Sequence, residues 1–318
     1  MRSTYATLLL LAVTTTACNR PVSQGQQVVS ETYIHKYGVE IPQEQWTSRG
    51  QQGKVVSTLS DGVTLTKSFE GGVLDGDTTY SFPHSDTIEK VQTYANGEMI
   101  REVIHYASGK PAQESIYNGP NTDVTRWYEN GAPLSKEHFD ASGLVSGEYF
   151  TSKNQMESRI VNGEGIRIQH DAYGQMVSND TFVGGHVTLV TAYHPNGSPK
   201  EVSPYVNDKI NGIRRTYLPA GEPNSQEHWV DGNQQGTTLL FKNGEKYAEV
   251  PYVNGAKTGL ERHFRNGKDV VEEITWVNDV RQGPCRTMIG DLTKTEWYHR
   301  GEIVPKHQYD VMNGKGQK

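Results

Sequence analysis

Eleven histidines and two cysteines carry the widest chemical repertoire in this 318-residue chain. Imidazole serves as metal ligand and as general base near neutral pH, so its spacing is the first thing to read. His84, His105, His138, His170, His186, His194, His228, His263 and His299 form no His-Glu-x-x-His, and the chain has no Cys-x-x-Cys. No metal and no cofactor is therefore predicted. His228 precedes Trp229 and His263 precedes Phe264, which reads as solvent-facing strand positions. His170 and Asp171 lie side by side in a segment with weak periodicity and are the polar-site candidates. Asp75-Gly76-Asp77 lacks the later ligands of a calcium loop and reads as a turn. No Gly-x-Ser-x-Gly elbow and no Gly-Lys-Ser/Thr phosphate loop occurs, and Cys285 has no histidine partner nearby in the repeat. The expectation is a protein that is not an enzyme. The alternative places an enzyme site in the irregular segment 160–185, around His170 and Asp171.

The elements that must position these groups begin after an export signal. Met1-Arg2-Ser3, the apolar run around Leu8 to Val13, and Thr15-Thr16-Ala17-Cys18 give a basic start, a hydrophobic core and small residues before a cysteine. The last four resemble the lipobox of bacterial lipoproteins, with Thr15 where that motif usually carries Leu. The resemblance implies a signal peptide over 1–18 and lipidation of Cys18, by a diacylglyceryl group and palmitate-type chains. With Asn19 rather than Asp following, it also implies the outer membrane. The alternative is ordinary cleavage after Ala17, giving a periplasmic or secreted soluble protein. Residues 19–31 lack apolar periodicity and are read as a flexible tether. A lipidated Cys18 leaves Cys285 alone, so no disulfide within the chain is expected. The net charge of −6 and scattered Lys and Arg give no footprint for nucleic acid.

The rest is repetitive. From Tyr205 large rings recur at Tyr217, Trp229, Phe241, Tyr252, Phe264 and Trp276, in steps of 11 or 12 residues. The ladder also runs upstream from Phe69 to Phe150, turns irregular between Ile160 and Phe182, and resumes at Tyr193. Gly-containing turns follow: Asn96-Gly97, Ser108-Gly109, Asn118-Gly119, Asn130-Gly131, Asn196-Gly197, Asp231-Gly232, Asn243-Gly244, Asn254-Gly255 and Asn266-Gly267. Asn-Gly and Asp-Gly supply the positive φ angles of tight hairpin turns. Between turns, alternation such as Val270, Glu272, Ile274 and Trp276 against Val271, Glu273, Thr275 and Val277 reads as strand. A further glycine follows alternate rings by seven residues, at Gly76, Gly212, Gly236, Gly259 and Gly283. These structural repeat glycines set a hairpin unit of about 23 residues and are expected to leave room for a ring against backbone.

Tyr252-Val253-Asn254-Gly255 through Gly259, followed by Phe264-Arg265-Asn266-Gly267, resembles the bacterial variant of MORN repeats. That resemblance covers residues 54–304 and implies a fold, not a function. The fold class expected is all-β: an elongated, curved antiparallel β-meander of repeated hairpins. Residues 32–53 are read as an N-terminal cap, 305–318 as a polar tail, and Phe82 to Asp86 and 162–185 as protruding loops. Many members of the family carry a toxin–antitoxin label. A lipid-anchored, non-catalytic binding or scaffold module of the envelope is the leading expectation, with a protein, glycan or lipid partner. The alternative within binding functions is an envelope immunity or antitoxin-like protein.

Overall fold

The structure, a computed structural model, describes residues 27–314. The signal segment, Cys18, most of the tether and residues 315–318 lie outside the described residues. The described chain is all-β, with 29 strands and two short helices. It divides into two compact units, one reaching to Gln175 and taking in Phe182–His186, the other holding Met176–Thr181 and the chain from Val187.

Within each unit the strands form an antiparallel meander, each paired with its neighbours in sequence. Short turns permit this, and the turns are of two kinds. Asn96-Gly97, Asp231-Gly232, Asn243-Gly244, Asn254-Gly255 and Asn266-Gly267 have positive φ at both residues, as the sequence predicts. At Ser108-Gly109, Asn118-Gly119, Asn130-Gly131 and Asn196-Gly197 only the glycine does. Three of these four are longer loops closed twice: Tyr106 N–H donates to Lys110 O and Gly109 N–H to Tyr106 O, both at 2.8 Å, and the loops after Tyr128 and His194 repeat the pattern.

In the first unit the loops at Ser108-Gly109 and Asn130-Gly131 lie on one edge and the turns at Asn96-Gly97 and Asn118-Gly119 on the other; in the second unit Asn196-Gly197, Asn243-Gly244 and Asn266-Gly267 share one edge and Asp231-Gly232 and Asn254-Gly255 the other, and each edge is stitched from one repeat to the next. In a tight turn the outward N–H groups have no partner of their own. At Gly97, Gly232 and Gly255 they find one in the preceding repeat. Gly97 N–H donates to Leu74 O at 2.8 Å in the first unit. In the second, Gly255 N–H donates to Gln234 O at 2.8 Å and Gly301 N–H to Arg281 O at 3.0 Å. Side chains just before the repeat glycines receive the neighbouring N–H: Asn96 to Asp75 Oδ2, Asn254 to Gln235 Oε1, Arg300 to Gln282 Oε1. On the other edge the ring slots do the stitching. Tyr106 Oη donates to Trp127 O at 2.7 Å and Tyr128 Oη to Phe150 O at 2.8 Å; His194 Nε2 lies 2.9 Å from Tyr217 O.

The repeat glycines sit where the ladder slips. Tyr205 pairs with Ile210 but Val202 with Arg215, so the strand gains two residues around Asn211-Gly212. Gly76, Gly212, Gly236, Gly259 and Gly283 all have φ between +80° and +121°, which alone selects glycine. Each stands opposite an aromatic on the following strand: Tyr94, Trp229, Tyr252, Trp276 and Tyr298 in turn. A Cβ at Gly259 would meet Pro251 at 3.2 Å, the residue before a ring rather than the ring itself.

Three stretches differ from the sequence reading. Phe82 to Asp86 does not protrude: His84 N–H donates to Gly62 O at 2.8 Å and its ring fills the space a Cβ on Gly62 would need. Residues 162–185 form hairpin strands; the ring slot just before them is taken by Ile160 and the one within them by His170, both buried. Aliphatic and imidazole groups fill those slots, which is why the aromatic ladder seems to lapse there. The first strand begins at Val28, inside the segment read as tether.

Each unit ends in a small helix. Gln43–Ser48 carries Trp46 into a cluster with Ile41 and Val55, its ring 5.5 Å from Tyr33 and 6.0 Å from Phe69. The segment from Pro305, read as a loose tail, instead forms the helix Lys306–Met312, with the Tyr309 ring tilted against Trp297, centroids 4.9 Å apart.

Candidate functional site

A buried polar centre lies in the first unit, where Asn121–Trp127, Pro133–Asp140, Gly143–Phe150 and Glu164–His170 run side by side or nearly so. Alternation sends Arg126, Glu137 and Tyr149 to one face. Glu137 is 6% exposed. Its Oε2 accepts from Arg126 Nη1 at 2.6 Å, its Oε1 from Tyr149 Oη at 2.9 Å, and Arg167 Nη1 stands 3.7 Å away. Burial pushes the Glu137 carboxyl up, but the Arg126 and Arg167 charges with the bonds from Arg126 and Tyr149 outweigh it and hold the group below the ordinary range. Burial, then the Glu137 charge, pushes the Tyr149 phenol up. This centre is a fixed ion cluster rather than a proton-exchanging one. The guanidinium of Arg167 also lies over the Phe182 ring, 4.8 Å from its centroid.

The opposite face of the same strands is open. Thr125, Lys136, Glu148 and Arg159 are successive partners in register, as are Asp123, His138 and Ser146. They line a shallow depression floored by the backbone of Glu137, Gly147 and Ile160. His138 Nδ1 and Asp123 Oδ1 are 2.7 Å apart. In the second unit Glu249, Arg262, Glu273 and Arg286 form a comparable row of alternating charge across four strands, with contacts of 3.0 to 3.9 Å. Both rows are surfaces of mixed sign. Rings elsewhere are mostly covered: Lys257 and Arg281 flank Trp276, Arg214 lies over Trp229 and Lys246 over Phe264.

The groups singled out from sequence fall apart as a site. His170 is buried, with Nε2 3.3 Å from Glu157 Oε2. Asp171 faces its own turn, where Oδ1 accepts from the backbone N–H of Tyr173 and Gln175, both at 2.9 Å. The two neighbours thus serve different local structures. Asp75 and Asp77 also diverge, the first accepting from Asn96 N–H and the second from Thr93 Oγ1. Cys285 is a buried free thiol beside Ile274 and Tyr298, pushed up by burial. His263 lies between Glu261 at 2.7 Å and Glu272 at 2.9 Å. Among the described residues no set of three His, Cys, Asp or Glu side chains is arranged to hold a metal ion. Sequence reasoning missed Arg126, Glu137, Tyr149 and Arg167. An acidic residue at an inward strand position, Glu137 between Ser135 and Phe139, was the available signal.

No protein-family model matches the sequence, and no curated protein matches it.

Proposed function

We propose that the protein is a lipid-anchored, non-catalytic binding or scaffold module of the bacterial envelope, engaging a protein through its open strand faces. The observation that carries this reading is the register-matched row Thr125, Lys136, Glu148 and Arg159 on an exposed face. Alternating charge suits a partner that also alternates, as protein surfaces do, and gives a uniform polyanion little to hold. Tethering rests on the export segment and Cys18, whose acylation would hold the protein at the membrane. Most ionisable groups around the polar centre are already committed to one another, which favours recognition over turnover.

Crosslinking on membranes followed by affinity capture tests this reading. The wild-type protein is expected to recover an envelope protein that K136E/R159E recovers weakly. Equal recovery by both would remove the open face from consideration. A fatty-acid analogue should label the wild type and leave Cys18→Ala unlabelled; absence of label on both would remove the anchor.

A further inference from the structure

We propose that the protein undergoes spontaneous deamidation at three particular asparagines, Asn118, Asn243 and Asn266, while its seven other Asn-Gly pairs resist it. The chemistry needs no catalyst. The backbone nitrogen of the glycine bonds to the asparagine Cγ, and the Cγ–Nδ2 bond breaks with loss of ammonia. The resulting succinimide takes up water and opens at one carbonyl to aspartate, or at the other to isoaspartate. Overall a water is consumed, an ammonia is released, and no electrons change hands. Glycine favours this because no Cβ hinders its nitrogen.

Sequence makes all ten pairs equivalent, and the fold separates them. Attack requires the glycine N–H to be free and the asparagine amide to swing onto it. Gly97 N–H is held by Leu74 O, Gly163 N–H by Val145 O and Gly255 N–H by Gln234 O, each at 2.8 Å. At Asn130 and Asn196 the glycine N–H and the side-chain amide are both occupied: Asn130 Nδ2 donates to Ser152 O and Asn196 Nδ2 to Pro219 O. Asn211 Nδ2 donates to Asp231 Oδ1 at 3.2 Å, and Asn313 Nδ2 to Tyr309 O at 2.8 Å.

The remaining three have neither restraint. Among the described residues nothing accepts from the N–H of Gly119, Gly244 or Gly267, or bonds the side chains of Asn118, Asn243 or Asn266. All three asparagines are exposed. The reason is topological. Asn243 and Asn266 sit in tight turns on the edge where the loops after His194 and Leu218 instead close on their own glycine N–H, and Asn118-Gly119 is the glycine-first turn before Pro120. Each event adds a negative charge, and isoaspartate also lengthens the backbone within a tight turn.

The test is peptide mapping by mass spectrometry, resolving isoaspartate, on the folded full chain held in mildly alkaline buffer. Conversion is expected at Asn118, Asn243 and Asn266 at rates roughly fivefold or more above the rest, since one retained hydrogen bond is worth about 1 kcal/mol. In concentrated urea the ten rates should converge, which shows that structure sets the difference. Equal rates in the folded protein, or fastest conversion at Asn96 or Asn254, would overturn the proposal.

Discussion

The side chain of Tyr149 folds back over Gly147, two positions earlier on its strand, and carries its hydroxyl to Glu137 at 2.9 Å. Gly147 does not have positive φ, so space alone demands glycine there. Gly147→Ala should displace the ring and strip the carboxylate of a donor, costing about 2–4 kcal/mol from overpacking and the lost hydrogen bond to a buried charged group. Tyr149→Phe keeps the ring and should cost less, about 1–2 kcal/mol. Urea unfolding of the two variants checks the order, and a milder Gly147→Ala would contradict it.

Acid should expose the same cluster. Glu137 has its folded value held below its ordinary 4.5, so its contribution is complete above that value and is lost as pH falls through the lower one. The stability gap between wild type and Glu137→Gln should therefore be widest near neutrality and close in acid. A gap independent of pH would show that the carboxylate charge contributes nothing.

Gly259→Val combines an unfavourable φ of +121° with a contact to Pro251. A loss of about 2 kcal/mol or more is expected, with hydrogen-exchange protection falling first across Glu245–Arg265. Unchanged thermal melting would contradict this.

Gln235→Ala removes the acceptor for Asn254 N–H, 2.8 Å away in the next turn of that edge. The expected cost is about 1 kcal/mol. Exchange at the Asn254 amide should accelerate more than at amides within the strands, and a uniform change across the unit would speak against edge stitching.

Trp46 is 7% exposed between Tyr33 and Phe69. Trp46→Ala should cost about 3–5 kcal/mol and release the start of the first unit, read as faster proteolysis near Val28. Intact protection there would mean the helix is not a cap.

The antiparallel meander was legible because it is written locally: a ring, an Asn-Gly turn and an alternating strand recur within a dozen residues. The ion cluster was not, because Arg126, Glu137, Tyr149 and Arg167 come from four strands and their meeting depends on bulges that shift register, as between His138 and Phe139. His170 drew attention as a polar residue in an irregular stretch, yet it fills a slot that an aromatic fills elsewhere. The glycines at positive φ were visible, but the side chains before them, Asp75, Gln235 and Gln282, look like ordinary surface residues until the next turn is seen above them.

The alternation of two stitched edges also constrains how such a chain can change its length. Adding or removing a single strand would carry every later stitched turn of that unit to the edge of the longer loops, where Gln235-type acceptors are missing. Gain or loss of a complete pair keeps both series in phase. Hairpins are therefore the smallest units in which this protein can be duplicated, trimmed or grafted without losing its cross-repeat bonds.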